Sequence, residues 1–456
     1  MSARILIRGG RVIDPASGHD GIADVLIEDG RILAIESAIE ADAPTIIDAE
    51  GLVVAPGLVD MHVHFREPGY EYKEDVKSGS RAAAYGGFTT VACMPNTNPP
   101  LDNEALVNRI VRLGNEHGLC RVHPIAAITK GQKGTELTEM KILEEAGAVG
   151  FSDDGVPVES SRVMRRALEY SRITSKPIIS HSEDTALSAG GHMHEGRVSA
   201  MLGIPGIPSA SEDAAVARDA RLCEITGARL HICHVSSARS VHVIREAKAR
   251  GVQITGEASP HHFTLTDEAV MGFDANTKMN PPLRSEEDRL ALIEGLKDGT
   301  LDAIATDHAP HAELEKLVEF DQAPFGILGL ETALPLTLTS LVDEGHLDLP
   351  TAIERLTLAP AEILGVEAGT LKPGAEADVV LFDPKERREF TPADIGSKSK
   401  NSPFLGTEMT GRVKMTLLAG EVTFQHDSMR PRVEDTTASG PNGAHVSAAP
   451  GMETTA

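Results

Sequence analysis

Eight short apolar runs, most of them separated by stretches with helical spacing, restrict the fold of this chain more than any other feature. The runs cover residues 58–65, 88–94, 121–128, 148–152, 177–181, 230–235, 253–257 and 303–306. Apolar residues recur with a helical period over 104–116, 136–146, 162–173, 212–226, 240–250 and 286–297. Strands alternating with helices predict an α/β fold around a parallel sheet. The number of units favours closure into a (β/α)8 TIM-like barrel over an open, doubly wound sheet. Aromatic residues are only 3% of the chain and Trp is absent, so Leu, Ile, Val and Ala must fill the core.

Both ends of the chain read as β-structure. Ile5-Leu6-Ile7, 24–27 and 32–35 are strand candidates, with Asp29-Gly30 as a hairpin turn. Residues 378–382, 413–418 and 422–424 repeat the pattern near the other end. We therefore expect a small β-sandwich domain composed of residues 1–55 and 370–426, with the barrel spanning 56–369. Residues 427–456, rich in Pro, Ser, Thr, Ala and Gly without periodicity, are expected to be a disordered tail. Three connections, 184–210, 259–284 and 307–328, are unusually long. In a barrel all three lie on the C-terminal face, where long loops serve catalysis or gating.

Charge and cysteine usage exclude several classes. Lys+Arg number 43 against 68 Asp+Glu, a net charge of −25, and such a surface repels nucleic acid and anionic membranes. An anionic substrate would need a local basic site. Cys93, Cys120, Cys223 and Cys233 show no C-x-x-C spacing and read as reduced thiols. The N-terminal residues lack a signal-peptide pattern and no apolar run approaches a membrane span, so a cytoplasmic location is expected.

Residues that bind metals sit at the ends of five of the expected strands. His62 and His64 close the first, and residues two apart on a strand face the same side. Taken alone, such a pair is better explained by partly buried core histidines. Asp153-Asp154 close the fourth strand, His181 the fifth, His234 the sixth and Asp307 the eighth. Strand ends converge on one mouth of a barrel, and four neutral imidazoles with two carboxylates suffice for two divalent ions. Asp307 could be a ligand, a general base or a helix N-cap. Either Asp153 or Asp154 could reach the centre. Arg66, next to the histidine pair, offers a fork of donors matched to a carboxylate, unless it is spent on a surface ion pair. His231, His261 and His262 are expected to pack or hydrogen-bond locally.

From about Arg4 to Phe424 the chain resembles the dihydroorotases of the amidohydrolase superfamily, specifically the longer bacterial type. The resemblance rests on Asp60-Met61-His62-Val63-His64-Phe65-Arg66-Glu67-Pro68-Gly69, Cys93-Met94-Pro95-Asn96-Thr97, Phe151-Ser152-Asp153-Asp154-Gly155, Ser180-His181-Ser182-Glu183-Asp184, His234-Val235-Ser236, Met279-Asn280-Pro281-Pro282-Leu283-Arg284, Thr306-Asp307-His308-Ala309-Pro310-His311 and Pro324-Phe325-Gly326-Ile327. It implies two Zn2+ per chain, one held by His62, His64 and Asp307 and the other by His181 and His234, with Asp154 bridging them. It further implies that Arg66, Asn96 and His311 bind a substrate carboxylate, that Asn280 and the backbone at Phe325 and Gly326 contact a ring, and that Asp307 is the catalytic base. The implied reaction is reversible, zinc-dependent cyclisation of N-carbamoyl-L-aspartate to L-dihydroorotate, in de novo pyrimidine (UMP) biosynthesis. The implied partners are a second copy of the chain and aspartate transcarbamoylase. The alternatives are a hydantoinase- or allantoinase-type cyclic amidohydrolase, or a non-catalytic partner of aspartate transcarbamoylase. The first lacks a use for Arg66, and the second is opposed by the complete ligand set.

Overall fold

The computed structural model describes residues 4–433 other than Asp42, Pro44, Arg430 and Pro431. Parallel ladders run from Leu58–Val63 to Phe88–Cys93 to Arg121–Pro124. A second set runs from Ile178–Ser180 through Leu230–Ile232 and Ile254–Ala258 to Ala303–Ile304. Phe151 joins the two sets by bridging Ala126 and Ile178, and His308 closes the ring on Val63. Eight positions thus make one closed barrel. The fourth, expected as a strand over 148–152, is a single bridging residue. Gly147, with φ of 115°, and a turn bonding Val156 N to Asp153 O at 3.1 Å leave room for only a few extended residues between them. Its neighbours still bond across the gap, Val149 N to Pro124 O at 3.0 Å and Ser152 N to Ala126 O at 2.9 Å.

Alternation along the strands sorts the core into two layers. Phe88, Val91, Ile178, Leu230, Ile232 and Ile254 belong to the large cluster shared with the helices, while Met61, Ala92, Ile125, Ile179, Cys233 and Ala303 form a separate inner cluster. Helix Val76–Gly86 follows the first strand without any regular spacing of large apolar residues to announce it. Its face is made of Ser78, Gly79, Ala82 and Ala83, all buried. A Cβ on Gly79 would come within 2.4 Å of the Phe65 ring, so only glycine lets the helix lie this close to the strand end that carries His64.

Apart from a short parallel pair, Met193–His194 with Gly206–Ile207, the remaining strands form one nine-stranded sheet drawn from both ends of the chain. Arg4–Asp14, His19–Glu28 and Arg31–Glu36 form a meander, and the Asp29-Gly30 turn has positive φ at both residues, 49° and 76°. Val379–Glu389, Glu408–Leu418 and Glu421–Gln425 form a second. Val53–Pro56 stitches them together, pairing parallel with the first strand and antiparallel with Val379–Glu389. An aliphatic cluster containing Ile7, Val12, Val25, Val54, Val379, Leu381 and Leu417 is sealed from solvent on this sheet. Arg432–Val433 pairs with the strand at Thr45–Asp48, so the sheet takes in two residues of the segment expected to lack structure. Most of that segment lies outside the described residues. Among the described residues no helix is long and apolar enough to cross a membrane.

Candidate metal centre and substrate pocket

Two residues past the sheet strand Val53–Pro56, the first barrel strand delivers His62 and His64 to the mouth. The buried Asp60 carboxylate accepts from His62 N at 3.0 Å, Thr306 N at 3.2 Å and Thr306 Oγ1 at 2.5 Å, which locks the first strand to the eighth. Burial pushes Asp60 up to about 6, against those hydrogen bonds. The locked strands bring Asp307 Oδ1 to 3.0 Å from His64 Nε2 and 3.5 Å from His62 Nε2. On the other side His181 Nδ1 faces His234 Nε2 at 2.9 Å. Asp154 stands between the groups. Its Oδ1 is 3.5 Å from both His62 Nε2 and His181 Nδ1 and 3.8 Å from His234 Nε2, while Oδ2 is 3.6 Å from His64 Nε2. His62, His64 and Asp307 thus form one group able to hold a cation, and Asp154, His181 and His234 another.

The donors have the chemistry a cation requires. His62 Nδ1 donates to Glu257 Oε1 at 2.8 Å, His64 Nδ1 to Asn96 Oδ1 at 2.8 Å, and His181 Nε2 to Glu183 Oε2 at 2.9 Å. Each of these bonds places the proton on the outward nitrogen and leaves the inward one as a bare lone pair. His62 Nε2 and Asp154 Oδ1 are buried without a hydrogen-bond partner among the described residues. Unpartnered buried polar atoms are costly, and these two point into the space shared by both groups.

Asp153, the other candidate bridge, turns away. Its carboxylate accepts from Ile128 N at 2.8 Å, Thr129 N at 3.1 Å and the Thr129 hydroxyl. Asp307 caps no helix, since the next one, Glu313–Lys316, has Ala312 at its N-cap.

A cavity of about 170 Å³ opens on the centre, lined by His64, Arg66, Asn96, Asp154, Gly155, His181, His234, Asn280, Asp307, Ala309, Phe325 and Gly326. A larger one, about 550 Å³, lies elsewhere on the chain and includes none of these residues. Here chemistry rather than size marks the site. Arg66 does not join a surface ion pair: its Nε donates to Pro310 O at 3.2 Å and its fork lies 3.5 Å from His311 Nε2. His311 sits just behind the wall, donating from Nε2 to Phe325 O at 2.8 Å while Lys73 Nζ donates to its Nδ1 at 3.3 Å. Burial, then Arg66, Lys73 and Lys316, hold His311 down at about 2, so it is neutral. Asn96 Nδ2 donates to Asp154 Oδ2 at 3.1 Å, and Asn280 Nδ2 to Glu183 Oε2 at 3.0 Å.

Sequence reasoning missed Glu257, Glu183 and Asp60. Glu257 accepts from His62, from His231 Nε2 at 3.0 Å and from His234 N at 3.2 Å. Burial would raise its carboxyl, but His231 and His62 bring it down to about 2. It lies at the end of the seventh expected strand, so the rule that found the histidines would have found it too. Cys233 Sγ also groups with His62 and Asp154, their candidate ligand atoms lying within 4.8 Å of one another. His231 also bonds Thr255 Oγ1 at 2.9 Å, and His262 donates to Pro281 O at 2.9 Å beside the His261 ring; none of the three joins a cation-holding group among the described residues, though His231 shares Glu257 with His62.

A closed barrel with an attached sheet domain and a buried histidine–aspartate centre at the mouth defines the amidohydrolase class. The dihydro-orotase-like family model matches residues 51–240, and the amidohydrolase family model matches 238–424. Curated dihydroorotases of Syntrophus aciditrophicus and Pelotomaculum thermopropionicum are each 53% identical, over 93% and 94% of this chain and 100% of their own. The chain belongs to the dihydroorotase family of amidohydrolases. Among solved structures, L-hydantoinase from Arthrobacter aurescens superposes with a TM-score of 0.83 at 27% identity, over 92% of this chain and 96% of its own. A D-hydantoinase superposes with a TM-score of 0.82 at 24% identity, over 94% and 97%, a likeness of fold alone.

Proposed function

We propose that this chain catalyses the reversible cyclisation of N-carbamoyl-L-aspartate to L-dihydroorotate, the ring-forming step of pyrimidine biosynthesis, with two zinc ions per chain. The observation that carries the reading is Arg66. It is a partly buried guanidinium beside the centre, lining the cavity with no carboxylate in an ion pair with it among the described residues, in a chain of net charge −25. A hydantoin or allantoin ring offers no carboxylate to such a fork.

The substrate carboxylate meets Arg66, with His311 behind it and the second N–H of the Asn96 amide beside it. Gly326 N already donates to Lys278 O at 2.9 Å, and Gly326 O accepts from Asn401 Nδ2 at 3.2 Å. The free lone pair of that carbonyl is the acceptor for a ring N–H, and Asn280 faces the ring from the other wall. Zinc held by His62, His64 and Asp307, and by His181 and His234, with Asp154 between, would polarise the amide carbonyl and make water a better nucleophile. In the hydrolytic direction Asp307 takes the attacking water's proton and passes it to the departing ring nitrogen as the C–N bond breaks. Cyclisation reverses each step, the proton moving from the carbamoyl nitrogen to Asp307 as the bond forms. Association with a second copy and with aspartate transcarbamoylase belongs to the same reading and rests on the family resemblance.

The test is turnover of dihydroorotate and N-carbamoyl-aspartate against hydantoin and allantoin, with the wild type and Arg66→Ala. We expect the carboxylated pair to be preferred, and the variant to lose about 2–5 kcal/mol of transition-state binding through KM at unchanged metal content. Equal turnover of the uncarboxylated rings, or an unchanged KM in the variant, would replace this reading with that of a hydantoinase-type enzyme.

A further inference from the structure

Two lysines near the pocket wall are buried in a way the chemistry above does not use. Lys278 is 2% exposed and Lys316 8% exposed. Burying an ammonium is expensive unless its protons are all placed. Lys316 Nζ has three acceptors to match its three protons, all backbone carbonyls: Pro324 O at 2.8 Å, Ala275 O at 3.0 Å and Lys278 O at 3.4 Å. Lys278 Nζ donates to Asp321 O at 2.9 Å and to His192 Nδ1 at 3.3 Å, and lies 4.8 Å from the centroid of the Phe325 ring. Burial pushes Lys278 down to about 8 and Lys316 to about 7.

Most of these contacts join one long loop to another, Lys316 to Ala275 and Lys278 and Lys278 to Asp321, while Lys316 to Pro324 ties the second loop to itself and His192 comes from the 184–210 connection. Ala275 and Lys278 belong to the 259–284 connection, whereas Lys316, Asp321, Pro324 and Phe325 belong to 307–328. The carbonyl of Lys278 is the pivot, taking Lys316 Nζ on one side and Gly326 N, at 2.9 Å, on the other. Pro324 O and the Phe325 ring are held from the same two ammonium groups. The peptide between Phe325 and Gly326 is held directly by His311 Nε2 at its carbonyl and Lys278 O at its N–H, and the two ammonium groups fix what flanks it, Pro324 O and the Phe325 ring.

We propose that Lys316 and Lys278 form a positioning brace that sets the Phe325–Gly326 peptide, and with it the ring-binding wall, at the height the substrate requires. The inference rests on the assignment of that wall to the substrate ring. Because a displacement of about 1 Å at a binding wall is costly, removing the brace should weaken binding far more than it alters the chemistry at the metal centre, whose ligands the brace does not touch.

The experiment measures KM, kcat, metal content and amide hydrogen exchange for the zinc-loaded wild type, Lys316→Met, Lys316→Gln and Lys278→Met. Lys316→Met should raise KM for both dihydroorotate and N-carbamoyl-aspartate by roughly tenfold or more, with metal content equal and kcat nearly so. Exchange of the peptide containing Gly326 should quicken. Lys316→Gln retains two N–H donors and should fall between the wild type and the methionine variant. If Lys316→Met does not fold, Lys316→Gln and Lys278→Met are read in its place. An unchanged KM overturns the brace, as does a loss of kcat and metal in step with KM. Rapid exchange at Gly326 in the wild type also overturns it, whatever the variants do. A wild type that turns over neither carboxylated substrate defeats the functional assignment instead, and the exchange data then judge the brace alone.

Discussion

The sheet domain and the mouth of the barrel are built to opposite standards. In the sheet domain long ladders pair strands of up to eleven residues over an aliphatic core, and the non-glycine residues with positive φ, Asp29 and Ala419, sit in hairpin turns beside a glycine. At the mouth Arg66, His234 and Asp307 have positive φ of 62°, 31° and 50°, each costing about 1–3 kcal/mol. The first region is optimised for stability. The second spends stability on holding particular atoms at particular places, the usual mark of a functional site.

Substitutions can break that contrast. The largest effect should come from Asp307→Asn, whose amide cannot accept a proton: turnover should fall by about 10²–10⁴-fold while thermal stability holds. A loss of fold in step with activity would show that the mouth is structural after all. Leu381→Ala, in the fully buried sheet core, should do the reverse, costing about 2–5 kcal/mol in denaturant unfolding with KM and kcat unchanged in the protein that remains folded.

Neighbouring aspartates sharpen the comparison to a single peptide bond. Asp153→Ala strips acceptors from Ile128 N and Thr129 N and should cost about 1–3 kcal/mol of stability while metal stays bound. Asp154→Ala should lose at least one metal ion and most turnover without a comparable penalty in stability. The opposite order in elemental analysis and melting would exchange their roles. The smallest effect expected is that of Glu257→Gln, which keeps the shape but not the charge behind His62 and His231. Metal affinity should fall by roughly 10–100-fold, read by competition with a chelator.

The alternation of strands and helices was legible in the sequence because packing demands it: apolar residues must recur with the period of the element that buries them. The ligands were legible because strand ends converge in a barrel. The choice between Asp153 and Asp154 was not legible from spacing, since both end the same strand. Only the fold shows one carboxylate turning to the backbone of 128–129. Helix Val76–Gly86 escaped the periodic reading because close packing on Phe65 requires small residues, which leave no apolar stripe. Glu183 and the two brace lysines also escaped, because charged residues in loops look alike until their partners, distant in sequence, are in place. The fourth barrel position was recognised as a strand but is a single bridge, because its length is set by the turns on either side.

The strand Val53–Pro56 has a consequence for how the molecule assembles during synthesis. Its partner on one side, Arg4–Asp14, has already been made when it emerges, but the other, Val379–Glu389, is translated only after the whole barrel. Until then one row of backbone donors and acceptors on 53–56 stays open, immediately ahead of the strand that carries His62 and His64. An open strand edge invites pairing with another chain. Arrest of translation or truncation after Leu364 but before Val379 should therefore release a barrel whose first strand leads out of a half-paired sheet strand, and such fragments should aggregate through this edge.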